Sequence, residues 1–247
     1  MTVWIVLFFA AMWAGAQNAL AGGGSFITLP SLMLTGLDAR AANITSSVAL
    51  FPSQIVMGIT GRKDATGVEG LALRSLVLIS LAGGAVGALI LLATPPTFFA
   101  KLVPWLVLFA TLMFAWGSFF RPAPQAGGAP MSPKLAGALQ FLISIYGGYF
   151  GGGIGFLMLA ALGAAGLVMR QAGATKNTLA GVMNASAVAI FALSPDVHWK
   201  QVLVAGVGAA IGGYGGAVML KRVNDRVLRI VVTAIGLILA VALFWTS

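Results

Sequence analysis

The residues of this chain best suited to ligand chemistry are two runs of glycine inside apolar sequence. A helix that breaks at glycine and restarts exposes backbone N–H groups at the positive end of its dipole. Such a helix start is a suitable site for an anion. We therefore predict that a small anion binds between the two runs. Their members are Gly22, Gly23, Gly24 and Ser25 in the first, and Gly151, Gly152 and Gly153 in the second.

Polar side chains after each glycine run extend this candidate site. Polar groups inside lipid are costly unless satisfied, which makes them functional candidates. Asn43 and Asn177 follow the two runs at comparable places, and we expect their amides to donate hydrogen bonds to the anion. For a single Ser or Thr, the alternative is helix packing. The further candidates are Ser46, Ser47, Gln54 and Asn184.

Two charged residues lie near these candidates. Lys176 precedes Asn177 and is expected either to attract an anion or to extend its ammonium to the membrane interface. No Asp or Glu falls inside a predicted membrane span, so coupling to protons would have to use a carboxylate at the interface. Asp38 is the best placed of these. The chain has no cysteine, and its one histidine, His198, belongs to a loop far from Ser25. We expect neither a metal site, nor a cofactor, nor enzymatic activity.

The glycine runs interrupt two long uncharged segments, residues 1–37 and 135–169. A helix that crosses a bilayer takes roughly 20 apolar residues. Each segment is therefore too long for one span and slightly too short for two spans with a loop. We predict re-entrant helical hairpins that turn at the glycines inside the membrane. Pairs of full spans remain an alternative, since they return the chain to the same face.

The composition places nearly the whole chain in lipid. Hydrophobic residues make up 60% and charged residues 8%, against about 25% charged residues in soluble domains. The formal charge of +9 comes from Lys and Arg scattered between apolar segments, which is typical of membrane orientation signals. We therefore expect a lipid bilayer and a small anion as partners, and no nucleic acid.

The order of segments repeats along the chain. Gly22 and Gly151, Gly83 and Gly212, Gly87 and Gly216, and Trp116 and Trp245 share one separation of 129 positions, whereas Asn43 and Asn177 are 134 apart. This indicates a first repeat over 1–118, a Pro/Gly-rich cytoplasmic linker over 119–133, and a second repeat over 134–247. The predicted fold is an all-α polytopic membrane protein with eight to ten hydrophobic elements.

Each repeat is expected to hold one re-entrant hairpin and three transmembrane helices. Three crossings reverse the chain, so the repeats have opposite orientations, the inverted topology of secondary transporters. The positive-inside rule supports this arrangement, because placing both termini in the periplasm leaves only Arg40, Lys101 and Lys200 outside. The eleven cations then inside are Arg62, Lys63, Arg74, Arg121, Lys134, Arg170, Lys176, Lys221, Arg222, Arg226 and Arg229.

Two further glycine sets predict close helix packing or a homodimer face, since small residues let helix backbones approach each other in membranes. They are Gly83, Gly84 and Gly87 in the first repeat, and Gly208, Gly212, Gly213, Gly215 and Gly216 in the second.

The same motifs resemble the sulfite exporter TauE/SafE family of bacterial membrane transporters over essentially the whole chain. The first copy is carried by residues 21–30, AGGGSFITLP, and 42–50, ANITSSVAL, with the basic Gly61-Arg62-Lys63. The second is carried by residues 151–156, GGGIGF, followed by Lys176–Ala180 in place of the Ser/Thr-rich run. The resemblance implies export of sulfite, sulfoacetate or related sulfonates and organic acids across the bacterial inner membrane.

The expected mechanism is alternating access, in which one set of helices moves against the other around the bound anion. A passive channel for the same anions and a non-transporting membrane assembly protein are the rival interpretations. A carrier saturates with substrate, whereas a channel shows ohmic current.

Overall fold

The computed structural model describes residues 2–20, 23–120, 131–219 and 225–246. They form ten α-helices, and this part of the chain contains no β-strand. The predicted all-helical fold is thus confirmed, while Gly22 and most of the predicted linker lie outside the described residues. The helices are α1 Thr2–Leu20, α2 Ser25–Met33, α3 Ala39–Gly61, α4 Leu73–Ala93, α5 Pro96–Ala115, α6 Pro133–Tyr149, α7 Ile154–Ala164, α8 Met169–Phe191, α9 Trp199–Met219 and α10 Asp225–Thr246.

Six of these helices have at least 20 residues and so the length of a bilayer, and α1 and α6 follow with 19 and 17 residues. Helices α3, α4, α5, α8, α9 and α10 have 20 to 23 residues, or roughly 30–35 Å at 1.5 Å per residue. Two candidate spans are the clearest by length and composition: α4, and residues Pro96–Phe119. The second consists of α5 and the π-helical turn that follows it. Large apolar side chains such as Leu78, Leu89 and Trp105 are exposed on them, as expected for helices that face lipid.

The two glycine runs each precede a short helix. Helices α2 and α7 have nine and eleven residues, roughly half a bilayer at 1.5 Å per residue. The backbone N–H of Met131, just before α6, donates to the carbonyl of Ala164 at the end of α7, 3.4 Å away. The chain thus returns to the end at which α6 began, and α6 and α7 form a hairpin.

Helices α3 and α8 form an antiparallel pair at the centre. The backbone N–H of Thr66, just after α3, donates to the Thr175 hydroxyl near the start of α8. At the opposite end, the backbone N–H of His198, after α8, donates to the Thr45 hydroxyl near the start of α3. Each helix has 23 residues, so the two loop contacts are roughly one bilayer apart.

The bounds of α3 and α8 correct the sequence-based pairing of the two asparagines. Both ends of α8 lie 130 positions after those of α3. Asn43 therefore occupies the place of Gly173, and Gln54 the place of Asn184. The spacing of Asn43 and Asn177 differs from this register by four residues, about one helical turn. The two asparagines do not lie at equivalent depths.

Glycine allows the closest helix contacts in the bundle. Helix α1 packs along α9, and α6 packs along α4. A Cβ on Gly208 or Gly212 would overlap backbone atoms of α1, and a Cβ on Gly83 or Gly87 would overlap atoms of α6. These four glycines thus serve close packing within the chain. A Cβ on Gly215 would have nothing within 4 Å in the described part of the chain, and the homodimer face remains a prediction.

Candidate functional site

The two glycine turns meet at a cavity of about 50 Å³ near the middle of the bundle. Helix α8 supplies one wall with residues 176–184, roughly 10–22 Å along its length. The lining residues are Asn18, Gly23 and Ser25 from the first turn and its neighbours, Gly151, Gly153, Ile154 and Gly155 from the second, Gln54 from α3, and Lys176, Asn177, Ala180, Gly181 and Asn184 from α8.

Two helix starts point into this cavity. Helix α2 begins at Ser25 and α7 begins at Ile154, and both residues line it. The N-cap residues Gly24 and Gly153 provide no side-chain hydrogen bond to either start. In α2 the N–H groups of Phe26 and Ile27 donate to the turn carbonyls of Gly23 and Gly24, and in α7 the N–H of Phe156 donates to the carbonyl of Gly153. The N–H groups of Ser25, Ile154 and Gly155 are the ones available to a ligand, and the helix dipole adds positive potential there. The cavity therefore receives backbone donors from two helices.

These two helices reach the cavity from opposite ends of the bundle. Five residues connect the end of α2 to the start of α3, and four connect the end of α7 to the start of α8. Since α3 and α8 are antiparallel, α2 and α7 end near opposite faces. The positive ends of both dipoles are consequently directed at the same space.

Left-handed backbone conformations shape the turns. Gly23, Gly151 and Gly153 have φ angles of +83°, +81° and +74°. A side chain in this region places Cβ too close to the following carbonyl oxygen. Glycine therefore sets the positions at which α2 and α7 begin, and with them the direction of the free N–H groups.

Gly153→Ala is expected to lower both stability and anion binding. A Cβ there would lie 3.1 Å from the Ala110 carbonyl oxygen, and the left-handed conformation adds about 1–2 kcal/mol. Gly173→Ala on α8 is the control, because nothing described lies within 4 Å of its Cβ position and alanine favours a helix by about 0.5–1 kcal/mol. Thermal unfolding of the purified proteins should move in opposite directions, and equal shifts would contradict the role of the turn.

Lys176 provides the one charge among the residues that line the cavity. No carboxylate lies among these lining residues, and neither ion pair found in the described part of the chain involves Lys176. Its Nζ lies 3.8 Å from the position of a Cβ on Gly155, so the ammonium reaches the first turn of α7. Any side-chain charge in the lining of the cavity is therefore positive.

Side-chain amides complete the lining. The Nδ2 of Asn184 donates to the Ala180 carbonyl at 3.0 Å. The Nδ2 of Asn18 and the Oε1 of Gln54 are buried without a hydrogen-bond partner in the described residues. Buried polar atoms are nearly always hydrogen-bonded to protein or water. These two amide atoms, one donor and one acceptor, make the cavity a polar space that water or a polar ligand can fill.

Four of the predicted polar or charged site residues are not part of the cavity lining. The Asn43 amide donates to the Tyr149 carbonyl at 3.1 Å and thereby holds α3 against the second turn. The Ser46 hydroxyl shares a 2.5 Å hydrogen bond with Thr28 of α2. Ser47 donates to the carbonyl of Asn43 at 3.0 Å. Asn43 and Ser46 thus bond to other helices, and Ser47 bonds within its own helix. The contact of Asn43 with the anion stays a prediction.

Asp38 is the fourth of these residues. Its carboxylate caps α3 by accepting from the backbone N–H groups of Arg40 and Ala41, at 2.9 and 3.1 Å. Gly24 and Gly152 belong to the turns but are not among the lining residues, and Gly22 lies outside the described residues. The structure does bring together Gly23, Ser25, Gly151, Gly153, Gln54, Lys176, Asn177 and Asn184.

Five residues line the cavity without having been predicted from sequence: Asn18, Ile154, Gly155, Ala180 and Gly181. The last two follow a helical period with Asn177 and Asn184, at steps of three and four residues, and so share one face of α8. This period is the signal that could have identified them. Asn18, by contrast, depends on how α1 ends beside the first turn.

Comparison with known proteins gives one consistent result. The family model of the sulfite exporter TauE/SafE proteins matches residues 7–243. A Haemophilus influenzae protein named "Probable membrane transporter protein" is 26% identical over 231 residues, covering 91% of this chain and 88% of the relative. "Probable membrane transporter protein ORF9" of a Sinorhizobium species is 27% identical, covering 96% and 90%.

A third relative, "Probable membrane transporter protein YfcA" of Escherichia coli, is 25% identical over 249 residues and covers 98% of this chain and 90% of the relative. These relatives are named as membrane transporters, and the helical bundle described above has the lengths and exposed apolar surface that a membrane requires. With the family model matching almost all of its helices, this membrane-embedded chain belongs to the sulfite exporter TauE/SafE family.

Proposed function

We propose that the chain is a secondary transporter that exports a small anion across the bacterial inner membrane by alternating access. The observation that carries this proposal is the central cavity, where two helix starts without a side-chain cap converge with Lys176, which forms no ion pair in the described residues. Backbone N–H groups, amide side chains and an ammonium are the donors that oxyanions bind. An enzymatic role has no comparable support in the residues that line the cavity.

The size of the cavity favours a compact oxyanion. A water molecule needs about 10–15 Å³ of cavity volume. A cavity of about 50 Å³ therefore has room for a few waters or one small anion. Sulfite, the substrate in the family description, has this size. We propose sulfite as the first candidate, and sulfoacetate or a related organosulfonate or organic acid only if the helices around the cavity separate further.

The packing of the helices supports an inverted repeat as the basis for alternation. Helices α1 to α5 of the first half correspond in order to α6 to α10 of the second. The α1–α9 contact then has its counterpart in α6–α4, and α3–α9 has its counterpart in α8–α4. The contacts α3–α8 and α5–α10 are their own counterparts. Short helices that approach one site from opposite faces are characteristic of inverted-repeat transporters. On this proposal both termini are periplasmic, and the end of the bundle where α8 begins faces the cytoplasm.

Binding is tested by thermal unfolding of the purified protein in the presence of sulfite, sulfoacetate or chloride at equal ionic strength. A ligand at 100 times its dissociation constant stabilises the folded state by about 2.7 kcal/mol, which for a chain of this size raises the midpoint by roughly 5 °C or more. We expect this rise with sulfite and none with chloride. If none of the anions stabilises the folded protein, the proposed function is wrong.

Transport is tested in proteoliposomes. A carrier should give sulfite flux that saturates with concentration, because each turnover requires a conformational change around one bound anion. Current that rises linearly with voltage and concentration would instead support a passive anion channel of the same fold. Empty liposomes with matched lipid provide the background.

A further inference from the structure

Two polar clusters join the halves of the chain at opposite ends of the α3–α8 pair. In the first, which we call the Arg40 clasp, the guanidinium of Arg40 donates to the Asp196 carboxylate at 2.9 Å. The same guanidinium donates to the carbonyls of Thr94 and Leu92, at 2.8 and 3.3 Å. Arg40 therefore connects the start of α3, the end of α4 and the loop between α8 and α9.

The second cluster, the Arg170 clasp, lies at the other end. The guanidinium of Arg170 donates to the Asp64 carboxylate from Nε at 3.1 Å and from NH2 at 3.0 Å. Beside it, the Thr175 hydroxyl accepts from the backbone N–H of Thr66 at 2.9 Å and donates to its carbonyl at 3.0 Å. This clasp connects the start of α8 with the loop between α3 and α4.

The two clasps correspond residue by residue. Arg40 and Arg170 are each the second residue of their helix, and Thr45 and Thr175 are each the seventh. Each arginine pairs with an aspartate in the loop that follows the other helix. Each threonine hydroxyl accepts from a backbone N–H in that same loop, from His198 at one end and from Thr66 at the other.

The clasps differ in burial. The side chains of Arg40 and Asp196 are 15% and 24% exposed, whereas those of Arg170 and Asp64 are 81% and 44% exposed. Ion pairs at solvent-exposed positions contribute little, while breaking a buried pair leaves an uncompensated charge. The ion pair is therefore the stronger contact at the end where α3 begins, whereas at the end where α8 begins the pair is exposed and the fully buried Thr175 hydroxyl holds the loop.

We infer that the two clasps are the gates of the transport path, an inference that rests on the proposed transport function. In this structure the Arg40 clasp closes its face and the Arg170 clasp leaves its face accessible. In the opposite state the burial of the two ion pairs is exchanged: Arg170 and Asp64 become enclosed while Arg40 and Asp196 separate. A pair of equivalent polar contacts in unequal states is what alternation between two related halves requires.

The absence of cysteine in the chain permits a direct test. Ser25→Cys places one thiol in the cavity, and membrane-impermeant thiol reagents are applied to reconstituted vesicles from one face at a time, without any anion substrate. In the Ser25→Cys parent we expect labelling through the Arg170 face. Adding Asp196→Asn should raise labelling through the Arg40 face by about tenfold, because the partly buried Arg40 loses its charged partner.

The matched control is Asp64→Asn, which removes the same charge from the exposed clasp. It should change labelling through the Arg40 face by less than about twofold. Arg40→Gln removes the other charge of the Arg40 clasp. It replaces Asp196→Asn in the test if that variant yields too little folded protein. The double variant Arg40→Asp with Asp196→Arg exchanges the two charges. A return of labelling through the Arg40 face to the parent level in this variant would support the ion pair as the closing contact.

Unchanged labelling through the Arg40 face in both Asp196→Asn and Arg40→Gln would overturn the gate assignment. That result would leave anion binding, measured separately by thermal unfolding, untouched. Conversely, an increase in labelling without any stabilisation by sulfite would support the gates and count against the proposed substrate alone.

Discussion

Lys176→Gln is expected to weaken sulfite binding and transport by about 10- to 100-fold, which corresponds to the roughly 1.5–3 kcal/mol that hydrogen bonds to charged groups contribute. Lys176 supplies the only charge among the residues that line the cavity, and no described carboxylate forms an ion pair with it. An anion that enters the cavity replaces that missing partner. The measurement is the sulfite concentration needed for half-maximal stabilisation and for half-maximal flux.

Two controls separate the charge of Lys176 from general electrostatics. Lys200 lies exposed at the start of α9, away from the cavity, so Lys200→Gln removes the same charge and should leave sulfite binding unchanged. The apo form of Lys176→Gln should be at least as stable as the parent, because an unpaired enclosed charge is costly to desolvate. Equal loss of affinity in both glutamine variants, or no loss in either, would contradict the role of Lys176.

The helices can be predicted from sequence because their signals are local. Uncharged runs of about one bilayer length indicate the six long helices, and runs that are too long for one span and broken by glycine indicate the two interrupted ones. The positive φ angles of Gly23, Gly151 and Gly153 show why glycine marks these turns. Hydropathy, length and backbone freedom belong to single segments and require no knowledge of their neighbours.

The depth of the site residues is harder to predict because it depends on where each helix begins. A shift of four residues rotates a helix by about one turn and moves a side chain about 6 Å along the axis. That shift separates Asn43, which binds the Tyr149 carbonyl, from the cavity that Asn177 lines. Sequence identifies Asn18 only as a polar residue just before the first glycine run, since tertiary packing decides which side chains of α1 face the turn.

Arg40 and Arg170 show a different limit of sequence reasoning. Sequence alone indicates only that both mark orientation, because a lone cation at the end of an apolar segment has no visible partner. Their aspartates lie more than 100 positions away in the other half of the chain. The repeat contains this information, since Arg40 and Arg170 are 130 positions apart, but the loops that carry Asp64 and Asp196 differ in length and sequence.

Gly212→Ala is expected to prevent assembly of the bundle or to destabilise it by about 3 kcal/mol or more, because the added methyl has no space to occupy. Its Cβ would overlap the Met12 carbonyl oxygen, a backbone atom of α1 that can move only with the whole helix. The contact of α1 with α9 also positions Asn18 and the first glycine turn, so a displaced α1 would open the cavity.

Gly215→Ala, three residues further along the same helix, provides the matched comparison. Nothing described lies within 4 Å of its Cβ position, and alanine in a helix interior is favoured over glycine by up to about 1 kcal/mol. Purified Gly215→Ala should therefore unfold at or above the temperature of the parent, and it should elute as one species in detergent. Gly212→Ala should yield little folded protein and unfold many degrees lower. If both alanine variants unfold alike, α1 does not pack on α9 through this glycine, and the first turn must be held in place by α2 and α3 instead.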